Sequence, residues 1–322
     1  MQYGAIPTTD MRPSVICLGA LPFGVSVSQD TSFALMDAFF EAGGAFIDTA
    51  LVYGEWLPGG KGLSERTVGA WITARHHRDQ VVLSSKGCHP RLATMEIPRL
   101  SEAELCSDLD ESLRNLQTDY IDLYWLHRDD PNRPVAEVLE SLQRRAQAGK
   151  IRAFGCSNWR VERIQEAQAY AAAHRMPAFV GNQLMWSLAA PNLEALSDPT
   201  MVAMDERTFA YHRASGLPAM AYTSQAHGFF AKLEHKTLDA LPESLRSVYG
   251  SGSNLAKLAR VKTLANELGI PLSTVSLAYI ISHPFPAYAI TACSTLEQLA
   301  TNVLAGEIVL SEAELTYLDT GG

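Results

Sequence analysis

The chain alternates between two hydrophobic periods. Short apolar runs, read as strands, occupy residues 15–18, 45–47, 81–83, 121–126, 153–156, 179–181, 219–222 and 287–290. Between them lie longer segments whose apolar residues recur every three to four positions, the spacing of one helix face. Helix ends are legible too. Ser101-Glu-Ala-Glu104 and Ser311-Glu-Ala-Glu314 fit the capping box, in which serine and glutamate each satisfy a backbone N–H of the first turn. Gly43, Gly149, Gly216 and Gly269 follow helical runs, where glycine takes the left-handed turn that closes a helix without strain. Repeated strand–helix units with right-handed crossovers build a parallel sheet, and eight of them predict closure into an α/β fold, the (β/α)8 TIM barrel. No Pro/Gly/Ser linker divides the chain, so one domain is expected over 1–322. The stretches 188–204 and 231–253 exceed ordinary loop length and are expected to be long loops on the catalytic face.

A parallel barrel carries its active site at the carboxyl ends of its strands. Three successive predicted strands deliver titratable groups there: Asp48 and Tyr53 from the second, Lys86 from the third and His127 from the fourth. A strand needs none of these in order to fold. Asp48 and Lys86 alone would read equally well as a structural ion pair, and His127 alone as an ordinary polar strand end; together with Tyr53 they favour chemistry. A phenol, with an ordinary pKa of about 10, is a poor acid near neutrality. A nearby ammonium favours the phenolate, and Lys86 is placed to act in this way on Tyr53, with Asp48 holding Lys86 charged. His127 can donate a hydrogen bond to the oxygen that Tyr53 protonates. Two donors converging on one carbonyl oxygen stabilise the alkoxide that forms, which suits reduction of a carbonyl. The hydride must come from a cofactor, since no side chain supplies one.

Polar residues at the remaining strand ends offer that cofactor a site. Ser157, Asn158 and Gln183 can hydrogen-bond a nicotinamide carboxamide, and Trp186 can stack on the ring. Tyr222, Ser224, Gln225 and Gly228 follow the seventh strand, where backbone amides can hold a pyrophosphate. Ser294, Gln298 and Asn302 stand at a predicted helix N-terminus after the eighth, suited to a phosphate or to the adenosine end. Arg128 and Asp129, next to His127, can bind substrate hydroxyls, while Trp56 and Trp159 in neighbouring loops can stack on a sugar ring. An apolar pocket for aromatic aldehydes is nearly as good a reading of the same residues. Trp125 shares a strand face with His127 and reads more as barrel filling than as site; Trp71, on a helical apolar stripe, reads as core.

With these residues in view, the chain resembles the aldo-keto reductase superfamily from its N-terminal segment to about Leu318. The strongest motif is Asp48-Thr-Ala-x-x-Tyr53-Gly54, followed in order by Lys86, His127, Ser157-Asn158 and Gln183. The resemblance implies a (β/α)8 barrel that binds NAD(P)H without a Rossmann domain. It also implies Tyr53 as general acid, supported by Asp48, Lys86 and His127. Two departures stand out. The family often stacks a tyrosine on the nicotinamide, where this chain is read as offering Trp186. Many members carry a cation near the eighth strand for the 2′-phosphate of NADPH, but no Lys or Arg occurs between Thr263 and Gly322. The choice between NADH and NADPH therefore stays open, with Lys257, Arg260 and Lys262 on the preceding helix as the nearest candidates.

Composition narrows the alternatives. The 322 residues are 47% hydrophobic, ample for a large core, and carry a formal charge of -9, which disfavours a phosphate backbone as partner. The five cysteines are far apart, with no Cys-x-x-Cys and no leader segment, so free thiols in a reducing cytoplasm are expected. No apolar run reaches the length of a membrane span. Gly59-Gly60-Lys61-Gly62 lacks the glycine spacing and the Ser/Thr of a Walker loop, and neither a Gly-x-Ser-x-Gly elbow nor a His-Glu-x-x-His pair occurs. No metal is expected. A small carbonyl compound is the expected partner, and oligomeric state is not legible. Two other functions fit parts of the pattern: a redox-sensing regulatory protein, as in the potassium-channel β-subunits that resemble this family, and a Schiff-base lyase using Lys86.

Overall fold

The computed structural model describes residues 1–321. Eight parallel strands close into a barrel in chain order: β1 (Ile16–Gly19), β2 (Phe46–Asp48), β3 (Val82–Gly87), β4 (Ile121–Leu126), β5 (Ile151–Ser157), β6 (Asn182–Met185), β7 (Ala219–Tyr222) and β8 (Ala287–Thr291). β1 pairs with β2 at Leu18–Ile47 and with β8 at Ile16–Ala289, which closes the ring. The crossovers are α1 (Gln29–Glu41), α2 (Leu63–Arg75), α3 (Glu102–Leu116), α4 (Val135–Gln147), α5 (Val161–His174) and α6 (Glu206–Ser215). Four helices connect β7 to β8: α7 (Phe229–His235), α8 (Glu243–Tyr249), α9 (Gly252–Leu268) and α10 (Leu272–Ile281). Beyond β8 come α11 (Leu296–Leu304) and α12 (Glu312–Thr320).

Both capping boxes form, at Ser101/Glu104 and Ser311/Glu314, and Gly43, Gly149, Gly216 and Gly269 all take positive φ at helix ends. Strand alternation divides the core in two. One set of side chains packs outward against the helices. The other fills the barrel, where Cys17, Phe46, Leu123, Trp125 and Tyr288 make an apolar interior. The segment before β1 bends back as an antiparallel bridge between Tyr3 and Ser14 and plugs the amino end with Ile6 and Met11. Trp125 packs against the backbone of Gly155 on the next strand, where a Cβ would collide with its ring. Above this apolar floor the inward positions turn polar, at Asp48, Lys86, His127, Ser157 and Gln183.

Two expectations change. The sixth strand lies at Asn182–Met185, beyond the apolar run 179–181. Asn182 and Gln183 are polar yet sit in the ladder, because each side chain finds a partner: His212 for Asn182 and Asp48 for Gln183. The stretch 231–253 is largely helical, holding most of α7, a 3-10 turn at Leu238–Ala240 and α8. Its apolar residues Leu233, Leu241 and Leu245 are buried, so packing against the barrel orders it. The stretch 188–204 is irregular apart from one turn at Leu193–Ala195, as expected of a loop. Among the described residues no single helix is long and apolar enough to cross a membrane.

Candidate active site

Asp48 ends β2 and Lys86 lies one residue before the end of β3, both pointing inward at the mouth and nearly inaccessible, at 2% and 1% exposure. Burying an ion pair costs several kcal/mol in desolvation and is tolerated only when the remaining hydrogen-bond capacity is met. Here it is met. The Lys86 ammonium donates to Asp48 Oδ2 at 2.5 Å, to the Thr49 carbonyl at 2.8 Å and to the Tyr53 hydroxyl at 3.1 Å, using all three protons. Asp48 Oδ1 accepts from Ser84 Oγ at 2.6 Å and from Gln183 Nε2 at 3.1 Å. Burial is the largest influence on Lys86 and pulls its pKa down, but the charges of and hydrogen bonds to Asp48 and Tyr53 outweigh it, so the net shift is upward. An ammonium held in this way has no lone pair to attack a carbonyl, which argues against Schiff-base chemistry.

Tyr53 sits in the loop after β2, and its ring stands edge-on to that of His127, with centroids 6.1 Å apart. Its oxygen accepts from Lys86, which leaves its own proton to be given to a ligand. His127 is buried, and its pKa lies well below the usual histidine value, first through desolvation and then through the charges of Arg128, His89 and Lys86. The imidazole is therefore neutral at neutral pH and able to donate from one nitrogen only. His89, three residues beyond Lys86, packs edge-on against His127 at 4.7 Å, and burial with the Arg128 charge brings its pKa down to about 4.

The expected cofactor residues fall into three groups. At the mouth, Asn158 bridges the sheet: its Nδ2 donates to the His127 carbonyl and to Ser157 Oγ, and its Oδ1 accepts from the Val202 N–H and from the Tyr222 hydroxyl at 2.6 Å. Among the described residues the Ser157 hydroxyl proton has no acceptor, and Gln183 keeps its Oε1 and one N–H free for a carboxamide. After β7 the chain turns through positive φ at Thr223, Ala226, His227 and Gly228, the backbone conformation of an anion-binding nest, with the Ala226 and Gly228 N–H groups donating within the turn to the Thr223 and Gln225 carbonyls. Ser224 anchors that loop to the Ile290 carbonyl, and Gln225 joins Asn302 and Thr291 in a hydrogen-bonded triangle. At the N-terminus of α11, Ser294 is exposed and tied to Gln298. Carboxamide partners, a nest and a helix N-terminus thus line one continuous rim, a set of donors that fits an extended dinucleotide.

Four expectations are corrected. Trp186 does not face the mouth: it packs outside the barrel against Phe209, Tyr279, His283 and Phe285, and the aromatic ring at the rim is Tyr222. Trp159 is fully buried against Phe179 and beneath the Arg163 guanidinium, out of reach of a sugar. Arg128 is buried in an ion pair with Asp198 at 2.7 Å and also donates to Thr200 and to the His127 carbonyl. Asp129 faces Arg163 at 3.3 Å and not the cavity. In each case a protein partner claims the side chain that sequence position alone offered to a ligand. Trp56 is half exposed beside the mouth, Trp125 fills the barrel and Trp71 is core. Of the cations considered for a 2′-phosphate, Lys257 is paired with Asp319 and Arg260 is held by the carbonyls of Leu318 and Asp319, while Lys262, half-buried on α9, has no ion-pair partner among the described residues.

Ser84 and His89 escaped the sequence reading. Ser84 precedes Lys86 by two on the same strand face, so the period of two could have found it. Nothing in the sequence marks His89, whose place beside His127 depends on the turn after β3.

The model of the Aldo/keto reductase family matches residues 15–320. The Bacillus subtilis protein called uncharacterized oxidoreductase YrpG is 30% identical over 326 residues, covering 99% of this chain and 95% of that one. Norsolorinic acid reductase B of Dothistroma septosporum is 28% identical over 327 residues, covering 97% and 79%. Among solved structures, an aldo-keto reductase from Klebsiella pneumoniae in complex with NADPH superposes with a TM-score of 0.69 at 28% identity, covering 96% of this chain and 90% of its own.

Proposed function

The chain belongs to the aldo/keto reductase family, and from that premise we propose that it reduces the carbonyl of an aromatic or otherwise apolar aldehyde or ketone with NAD(P)H, Tyr53 acting as general acid. The observation that carries this reading is the Lys86 ammonium, shared between Asp48 and Tyr53 at the barrel mouth. A bound nicotinamide supplies the hydride. The protein's residues do the rest. Ser157 and Gln183 hold the carboxamide, and the turn from Thr223 to Gly228 holds the phosphates. Neutral His127 donates a hydrogen bond to the carbonyl oxygen. Tyr53 gives that oxygen its proton, and Lys86 stabilises the phenolate left behind.

What remains exposed supports a substrate class. The sugar reading rested on Trp56, Arg128, Asp129 and Trp159, and three of these are engaged elsewhere in the protein. Trp56, Leu57, Leu92 and Ile97 are the large apolar groups left exposed in the loops after β2 and β3, and the first three, nearest the tetrad in sequence, favour a flat or greasy body next to the carbonyl. The test is steady-state turnover of aromatic aldehydes, alkyl ketones and keto-sugars of similar size, each with NADH and with NADPH. Turnover of the aromatic set above the sugars is the expected result. A preference for the sugars overturns the substrate assignment, and failure of the whole panel overturns the reductase reading.

A further inference from the structure

We infer, on the reductase reading above, that the cavity beside the tetrad receives a carboxylate carried by the carbonyl substrate, with Arg91 as its counter-ion. The cavity, of about 440 Å³, opens between the loops that follow β2 and β3 and is lined by Glu55, Lys61, His89, Leu92, Arg91 and Arg99 among others. It adjoins the reaction centre through His89, whose ring lies against His127.

Its lining concentrates cations. The chain has a formal charge of -9, whereas three cations and one carboxylate, Glu55, line this cavity; Glu55 has no ion-pair partner among the described residues and stands as the one negative charge a bound anion must avoid. Two of the cations are balanced from behind by α3: Lys61 by Glu111 at 2.6 Å, and Arg99 by Asp108 at 2.9 Å and Glu104 at 3.3 Å. Arg91 has no ion-pair partner among the described residues and is exposed. Nor does His89 compete for the anion: its Nδ1 lies 2.7 Å from the Pro90 carbonyl oxygen, where it donates, so the ring contributes a neutral wall. A cavity with an apolar edge at Leu92, a neutral inner wall and an unpaired guanidinium matches a substrate with a carbonyl at one end, an apolar body and an anion at the other. Guanidinium binds carboxylate through two parallel hydrogen bonds, a geometry that a neutral amide of the same shape does not reproduce.

The experiment compares 4-carboxybenzaldehyde with 4-carbamoylbenzaldehyde, which has the same size and no charge. The expected wild-type ratio of specificity constants favours the carboxylate by roughly tenfold, the scale of a charge-assisted hydrogen bond in a partly open site. Arg91→Ala lowers that ratio about tenfold, mainly through KM, and Arg91→Lys restores part of it. Arg12→Ala removes the same charge at the opposite end of the barrel, near Ala45 and Val82, and leaves the ratio where it was. A wild-type ratio near one, or equal losses on both aldehydes in Arg91→Ala, overturns the carboxylate site while leaving the reductase reading in place. No turnover of either aldehyde with either cofactor removes both.

Discussion

Gln183 on β6 donates to Asp48 on β2 across the barrel mouth, at 3.1 Å and 135 positions apart in the chain. The two strands are not neighbours, and only closure of the barrel brings them within reach. The contact joins the residue that orients Lys86 to a residue with free amide groups for the cofactor. On the mechanism proposed above, proton delivery and carboxamide binding share one polar layer, resting on the apolar floor made by Trp125 and its neighbours.

Removing the Tyr53 hydroxyl takes away the proposed acid and leaves the cofactor rim intact. Tyr53→Phe is expected to lower kcat by on the order of 10²–10⁴-fold, with the dissociation constant for NAD(P)H changed by less than about threefold, a shift worth under 1 kcal/mol. Stopped-flow turnover and a fluorescence titration of the cofactor read the two quantities. Near-normal turnover in this variant is incompatible with the mechanism.

Asp48→Asn leaves Lys86 buried without its counter-charge. Loss of one partner of a buried pair costs about 3–5 kcal/mol, so the midpoint of denaturant unfolding should fall accordingly. The pH dependence follows from the direction of the Lys86 shift. Its folded pKa is raised, so its contribution to stability is complete below the ordinary lysine value of about 10.4 and is lost as pH rises through the folded value. With Asp48 neutralised, burial dominates and pulls the ammonium pKa down, so the alkaline limb of kcat/KM should move to lower pH. An unchanged limb together with an unchanged unfolding midpoint would refute the pairing.

Gln298 offers a test of cofactor choice. The exposed N-terminus of α11 presents Ser294 and Gln298 and no cation, while Lys257 and Arg260 are engaged with the C-terminal segment. Dissociation constants for NADH and NADPH are expected to lie within about tenfold of each other, a difference of about 1.4 kcal/mol. Gln298→Arg should shift the balance toward NADPH by about another tenfold through a charge-assisted bond to the 2′-phosphate. Strong wild-type selection of NADPH would show that other residues read that phosphate.

His283 is expected to contribute acid sensitivity to the fold. It is caged by Trp186, Phe209, Tyr279 and Phe285, its Nε2 has no hydrogen-bond partner, and burial brings its pKa down to about 4, partly offset by Asp319. The unfolded chain takes up this proton first, at about pH 6.5. Stability is therefore complete above that pH and is lost as pH falls toward 4, and His89 and His127 act with the same sign. His283→Phe should shrink the difference in Tm between pH 7 and pH 4.5, as read by thermal melts at both values. An unaltered difference would assign the acid sensitivity to other groups.

How far the chain can be read before folding depends on what each residue needs. Strand and helix periods, capping boxes and terminal glycines are local, so the eightfold alternation and the barrel were legible from pattern alone. Asp48, Tyr53, Lys86 and His127 stood out because titratable groups at apolar strand ends have no use in forming a strand. Side-chain direction in the loops is a different matter. Trp159, Trp186 and Asp129 follow catalytic-face strand ends just as Tyr53 does, yet they turn outward to Phe179, Phe285 and Arg163. Arg128 is held at the mouth by Asp198, 70 positions away in the chain. Those choices rest on partners brought near only by the closed barrel, where burying an aromatic ring or pairing a charge outweighs leaving it free for a ligand. The polar sixth strand has the same origin: Asn182 and Gln183 are tolerated in the ladder because His212 and Asp48 meet them from α6 and β2, a condition that exists only once the chain has folded.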